Sequence, residues 1–189
     1  MSRKKASSEK IKELCDKSNC EILISEKDRK VEILISGELS SIPSIKNAKE
    51  IKYHNGRPYL INSKNTMDHL IAMDILFRRK LDSLNVSKLS FGDTKVFLLL
   101  LCAKRNRLFD PINTCETVQD WLEPSHKTSG SKLGNTRGWG VGVVNNDSQI
   151  TSLAMHQSDV GGDESISRII IYPLSCVSES LHVFLKSVL

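Results

Sequence analysis

The chain has 189 residues, 39% hydrophobic and 26% charged, with a net charge of +5; that length suits one domain, and that composition a folded rather than a disordered chain. Its longest uninterrupted apolar run, Val96 to Ala103, is eight residues, far short of the roughly 20 that a membrane-spanning helix needs, so no membrane partner is expected. The opening Met1-Ser2-Arg3-Lys4-Lys5-Ala6 leads into no apolar secretory stretch, and the five cysteines (Cys15, Cys20, Cys102, Cys115, Cys176) form no C-x-x-C pair; reduced thiols in a cytoplasmic protein are the expectation.

In chain order, Ile11, Leu14 and Cys15 fall at helical spacing within residues 7–17, with Ser7 or Ser8 as a cap. Two strand-like runs, Glu21 to Ser25 and Val31 to Ile35, flank the charged stretch 26–30 and predict a hairpin. Residues 40–47 read as loop. Ile51-Lys52-Tyr53 and Tyr59-Leu60-Ile61 read as short strands around the turn Asn55-Gly56-Arg57-Pro58. From Ser63 to Leu84 the period becomes helical, with Met67, Leu70, Ile71, Ile75, Phe77 and Leu81 along one face. Cations Arg78, Arg79 and Lys80 suit that helix's C-terminal end.

The run Val96 to Ala103 predicts a central strand buried on both faces. A second helix is expected from Asp110 to Leu122, with Asp110 as cap and Pro111 at the first helical position. Residues 123–138 read as a basic, Gly- and Ser-rich loop. Strands are expected at Trp139 to Val144, Gln149 to Met155 and Ile166 to Tyr172, then a closing helix at Ser178 to Val188. Interleaved strands and helices without an internal repeat predict one α/β domain with a mixed sheet flanked by helices.

Two polar clusters sit at the ends of apolar elements. Asp110-Pro111-Ile112-Asn113, with Glu116 and Asp120, follows the long strand, and Asn145-Asn146-Asp147-Ser148-Gln149 lies between two strand candidates. Carboxylates so placed suit a hard cation such as Mg²⁺, which takes oxygen ligands, activates water and offsets charge on a phosphodiester. Asp110 before Pro111 equally reads as a helix cap, and Asn145-Asn146-Asp147 as a turn. Lys104, Arg105 and Arg107, directly upstream, suit phosphate contacts.

In this order and spacing the blocks resemble the RusA family of Holliday junction resolvases, small dimeric Mg²⁺-dependent endonucleases. The family signature D-x-D-N-x-x-K-x-x-x-D-x-L is matched by Asp110, Asn113, Asp120 and Leu122. Its second block, D-D-x-Q-V, is similar to Asn146-Asp147-Ser148-Gln149-Ile150, and an early P-x-x-K/V-N turn is similar to Pro43 to Asn47. The likeness covers residues 38–174. Residues 1–37 then read as an N-terminal helix and hairpin extension, 123–138 as a basic loop insertion, and 175–189 as a C-terminal helix.

The resemblance implies a RusA-like fold in a bacterial or phage-encoded protein. A homodimer would nick branched DNA, with Asp110, Asp147 and Glu116 as catalytic metal ligands for Mg²⁺, or Mn²⁺ in its place. Lys104, Arg105 and Arg107 would hold phosphates, supported by Lys46, Arg57, Lys127, Lys132 and Arg137. Two departures stand out. Ile112 occupies the place of the family's second Asp, and Glu116 that of its Lys. Glu116 would supply the missing carboxylate; without that compensation the chain would be an inactive branched-DNA-binding protein of the same fold.

Overall fold

The computed structural model describes residues 3–27, 29–44, 49–104, 111–124, 140–159 and 165–177. The first helix, α1, spans Arg3–Asp16 and leads into β1 (Ser18–Ser25) and β2 (Lys30–Gly37). Gly37 has φ +78, and a Cβ there would meet the Lys17 carbonyl oxygen at 2.2 Å, so only glycine lets the end of β2 pass the entry to β1. Strands β3 (Lys49–His54) and β4 (Arg57–Asn62) form a hairpin. Its two-residue turn has φ 49 at Asn55 and φ 75 at Gly56, the left-handed pair that an Asn-Gly turn supplies.

Helix α2 (Lys64–Ser83) begins where Ser63 accepts a hydrogen bond from the Thr66 amide through its Oγ, 3.2 Å away. It is followed by β5 (Val96–Lys104), α3 (Pro111–Leu122), a 3₁₀ turn at Asp147–Gln149, β6 (Ile150–Asp159) and β7 (Ile166–Pro173). The five-stranded sheet has the order β1-β2-β7-β5-β6, and β3 and β4 form a separate two-stranded sheet. Only β5 and β6 pair in parallel; the other neighbours are antiparallel. A parallel pair needs a crossover, and α3 lies in that connection. The result is a single α/β domain with a mixed sheet, in which β1 and β2 continue the same sheet as β5, β6 and β7.

One continuous core joins the helices to one face of the sheet. Cys20 and Ile22 of β1, Ile33 and Ile35 of β2, Ile169 and Ile171 of β7, and Leu98 and Leu100 of β5 pack with Leu70, Met73 and Phe77 of α2 and Val118 and Trp121 of α3. The Phe77 and Trp121 rings meet edge to face with centroids 5.5 Å apart. The expectation for β5 is met on this face, where Val96, Leu98 and Leu100 are 0% exposed. On the opposite face Leu99 and Leu101 are only half-buried. There Glu32 pairs with Lys30 at 3.4 Å and with Arg168 at 2.5 Å, so this side is held by charge as well as apolar contact.

The strand expected from Trp139 to Val144 does not form over the described part. Val141 makes an isolated bridge to Pro124, and Gly140 and Gly142 take positive φ values of 130 and 70, which break an extended course. Their neighbours instead close the end of α3: the amides of Val141, Val143 and Val144 donate to the carbonyls of Trp121 and Leu122. A helix C-terminus leaves such carbonyls without intrahelical donors, and Val143 and Val144 are buried where they cap it. The closing helix expected at Ser178 to Val188 lies outside the described residues.

Candidate functional site

The second polar block is built around a buried amide. Gln149 is 4% exposed, and its Nε2 donates to the carbonyls of Gly92 at 2.9 Å and Thr94 at 2.6 Å. Its Oε1 accepts from the Asn145 amide at 2.8 Å. Asn145 Nδ2 donates to the Gly92 carbonyl and to Asp93 Oδ1, at 2.9 and 3.0 Å. Lys95 Nζ donates to the Ser148 carbonyl at 2.9 Å, and Ser148 Oγ to Asn146 Oδ1 at 2.5 Å. The turn carrying Asp147 is thus fastened to residues 92–95, immediately before β5. Asp147 itself is exposed.

Glu116 lies near the middle of α3 and is half-buried, with its Oε2 in the interior. Around it Thr114, Cys115, Thr117 and Val118 face the core, and Cys115 Sγ donates to Met155 Sδ of β6 at 3.3 Å. Asp120 and Ile112 are exposed, Ile112 to 71%. Asn113 accepts the Thr117 hydroxyl through its carbonyl at 3.0 Å, a bond within the helix.

The twelve residues of α3 rise about 18 Å. Val143 and Val144 bond to its last carbonyl, Leu122, so the chain enters the Asp147 turn from the C-terminal end of the helix. Pro111, which is covalently bonded to Asp110, forms the opposite end. Among the described residues no group of three or more His, Cys, Asp and Glu side chains is placed to hold a metal ion. Glu116 and Asp147 therefore do not make a metal centre with any third described donor.

Of the expected phosphate contacts, Arg57 is exposed beside the β3–β4 turn, and Lys104 ends β5. Asp110, Arg105, Arg107, Lys46, Lys127, Lys132 and Arg137 lie outside the described residues. The fold adds cations that the sequence reading did not single out as contacts. A cleft of about 340 Å³ adjoins the Asp147 turn through Asn145 and is lined by Phe77, Arg78, Lys88 and Pro124. Arg78 is positioned there by Asp74 at 3.0 Å and by the Gly140 carbonyl at 3.0 Å. Burial pushes the Asp74 carboxyl above its ordinary value, against the opposing pull of the Arg78 guanidinium. Lys95, Arg78 and Lys88 reach this neighbourhood from segments some 50 to 70 residues before Asp147. The available sequence signal for Lys95 is the Gly92-Asp93 turn ahead of the long apolar run.

Compared with protein-family models and with curated proteins, the chain matches none.

Proposed function

We propose that this chain is a structure-selective DNA endonuclease, Holliday junction resolvase-like, which hydrolyses phosphodiesters of branched DNA with Mg²⁺ and acts as a homodimer. The observation that carries the reading is the β5–α3–β6 crossover. The motif residues occur along it in order: Asp110 immediately before α3, Glu116 and Asp120 within the helix, and Asp147 in the turn that opens β6. The basic cleft beside that turn, with Arg78 and Lys88, suits a phosphate backbone.

Asp110, which lies outside the described residues, would share the cation with Asp147 and Glu116, as the resemblance implies. A bound Mg²⁺ would polarise a water and offset charge on the leaving oxygen. Two-fold protein symmetry would then match the two-fold symmetry of a four-way junction.

The test is nicking of a synthetic four-way junction in Mg²⁺ by the wild type, by Asp110→Asn and by Asp147→Asn. The wild type is expected to nick and each variant to be inactive; an unchanged rate in either variant would sink the site.

One observation favours a second reading, an inactive branched-DNA-binding protein of the same fold. Ile112, at the place of the family's second carboxylate, has no metal-binding group and stands 71% exposed at the start of α3. Tight junction binding without cleavage in either Mg²⁺ or Mn²⁺ would select this reading. Absence of DNA binding at low salt would reject both and leave an α/β interaction domain.

A further inference from the structure

Alternation along the strands turns Leu34 of β2, Ile170 and Tyr172 of β7, and Phe97, Leu99 and Leu101 of β5 to the face of the sheet opposite the core. The register aligns them in rows, Leu99 opposite Ile170 and Phe97 opposite Tyr172. Helices α1, α2 and α3 all pack into the core on the other side. Phe97 is nevertheless only 9% exposed and Ile170 6%, and Val177, the last described residue, is 7% exposed. These three are buried without belonging to the main core, so a second apolar layer exists behind the sheet. The end of β7 leads the chain to it: the Leu174 amide donates to the Lys95 carbonyl at 2.8 Å, beside the Phe97–Tyr172 row. Residues 178–189 come next in sequence and lie outside the described residues. Counted from Val177, Leu181, Phe184, Leu185 and Val188 recur at helical spacing, with Glu179, His182 and Lys186 on the opposite side of the wheel.

We propose that the segment 178–189 docks on this face as an amphipathic third layer, its Leu181–Phe184–Leu185–Val188 stripe against the Leu99–Ile170 row. Three features choose that occupant. The segment starts at Val177, which is already buried, so docking closes almost no loop. The other stretches outside the described residues do not suit the face. Residues 105–110 and 160–164 span fewer than two helical turns, and 125–139 is basic and rich in Gly and Ser, without an apolar period. Length also fits: twelve helical residues extend about 18 Å, enough to cover β2, β7 and β5 at a strand spacing of roughly 4.8 Å. Beneath the cover, Glu32 is 5% exposed and is paired with Lys30 and Arg168, so the layer closes over no uncompensated carboxylate. The docked segment withdraws the apolar rows from association with other molecules.

The inference does not rest on the nuclease reading, and its readout is thiol accessibility rather than cleavage. Leu99→Cys in the full chain places a thiol on the covered face, and peptide mass spectrometry follows its alkylation. It is expected to react at least about 10-fold more slowly than the thiol of Leu23→Cys, at a position on the same face that is 53% exposed. Adding Leu181→Asp and Leu185→Asp should undock the segment and speed the Leu99→Cys thiol at least about 10-fold. Cys20, in the core, should stay unmodified there, which shows that the rest of the fold persists. Phe184→Ala, a milder change, should give a smaller acceleration and keeps the test valid if the double aspartate chain unfolds. Glu179→Ala with Lys186→Ala, on the polar side, should leave the rate within about twofold. Equal Leu99→Cys rates with and without the apolar-stripe substitutions would overturn the proposal, as would equal acceleration by the polar-side pair. Protection that disappears on dilution would also overturn it, because a second copy would then be the cover.

Discussion

The side-chain amide of Gln149 donates to the Thr94 carbonyl across 2.6 Å, joining the turn that carries Asp147 to the entry of β5. The two residues are 55 positions apart in sequence. The parallel pairing of β5 with β6 begins directly beyond them, with Val96 opposite Ile150.

That bond predicts a stability effect. Gln149→Leu keeps the bulk but removes the donor to Gly92 and Thr94 and the acceptor for the Asn145 amide. Leaving these partly buried groups unsatisfied is expected to cost about 2–4 kcal/mol. Urea denaturation measures it, as a lower midpoint at constant slope.

Asp147→Asn should behave in the opposite way. The side chain is exposed, so the expected stability change is within about 0.5 kcal/mol. Nicking of a four-way junction in Mg²⁺ is expected to fall at least about 100-fold. Glu116→Gln should likewise abolish nicking while junction affinity, followed by gel shift, stays within about threefold. Unchanged activity in Glu116→Gln would remove Glu116 from the site.

Trp121 is 0% exposed, sits edge to face on Phe77, and caps the α2–α3 contact. Trp121→Ala is expected to cost about 3–5 kcal/mol. Trp121→Phe should cost distinctly less, because it keeps an aromatic ring and discards a buried indole N–H that has no hydrogen-bond partner among the described residues. Thermal denaturation of the two variants gives the ranking.

Thiol reactivity follows from burial. Burial pushes Cys20 up to about 12 and Cys115 up to about 11, and it raises Cys15 as well. The reactive form is the thiolate, so these thiols are inert near neutral pH. Cys15, Cys20, Cys102 and Cys115 are buried, and Cys176 is half-buried. Brief alkylation of the native protein should therefore modify Cys176 first, as peptide mass spectrometry would show. The folded-state values of Cys20 and Cys115 lie above that of a free thiol. The native state therefore binds more protons, and stability falls as pH rises above about 8.5. Cys115→Ala should flatten part of that alkaline loss.

Several elements were legible from local chemistry. The turn at Asn55-Gly56 and the helical period that begins at Ser63 need only neighbouring residues to specify them. The valines at 141, 143 and 144 misled because apolar alternation does not say who receives the amides. Here the end of α3 receives them rather than a neighbouring strand. The candidate site was legible only as two blocks of polar residues. Lys95 and the Arg78–Lys88 cleft come to the second block through long-range pairing, which no local pattern encodes.

The sequence alone determined the order of most helices and strands, though not their first residues, which residues seek the interior, and that the two polar blocks lie along the stretch from α3 to β6. These follow from backbone preference and hydrophobic period, both local properties. Only the tertiary structure decided that β2 pairs with β7, 130 or more residues away, and that the Asp147 turn is fastened to the start of β5. It also decided that the β3–β4 hairpin keeps an apolar face in solvent. Those outcomes depend on which distant surfaces meet once the chain closes its core, and several pairings of the same strands would satisfy the same local preferences.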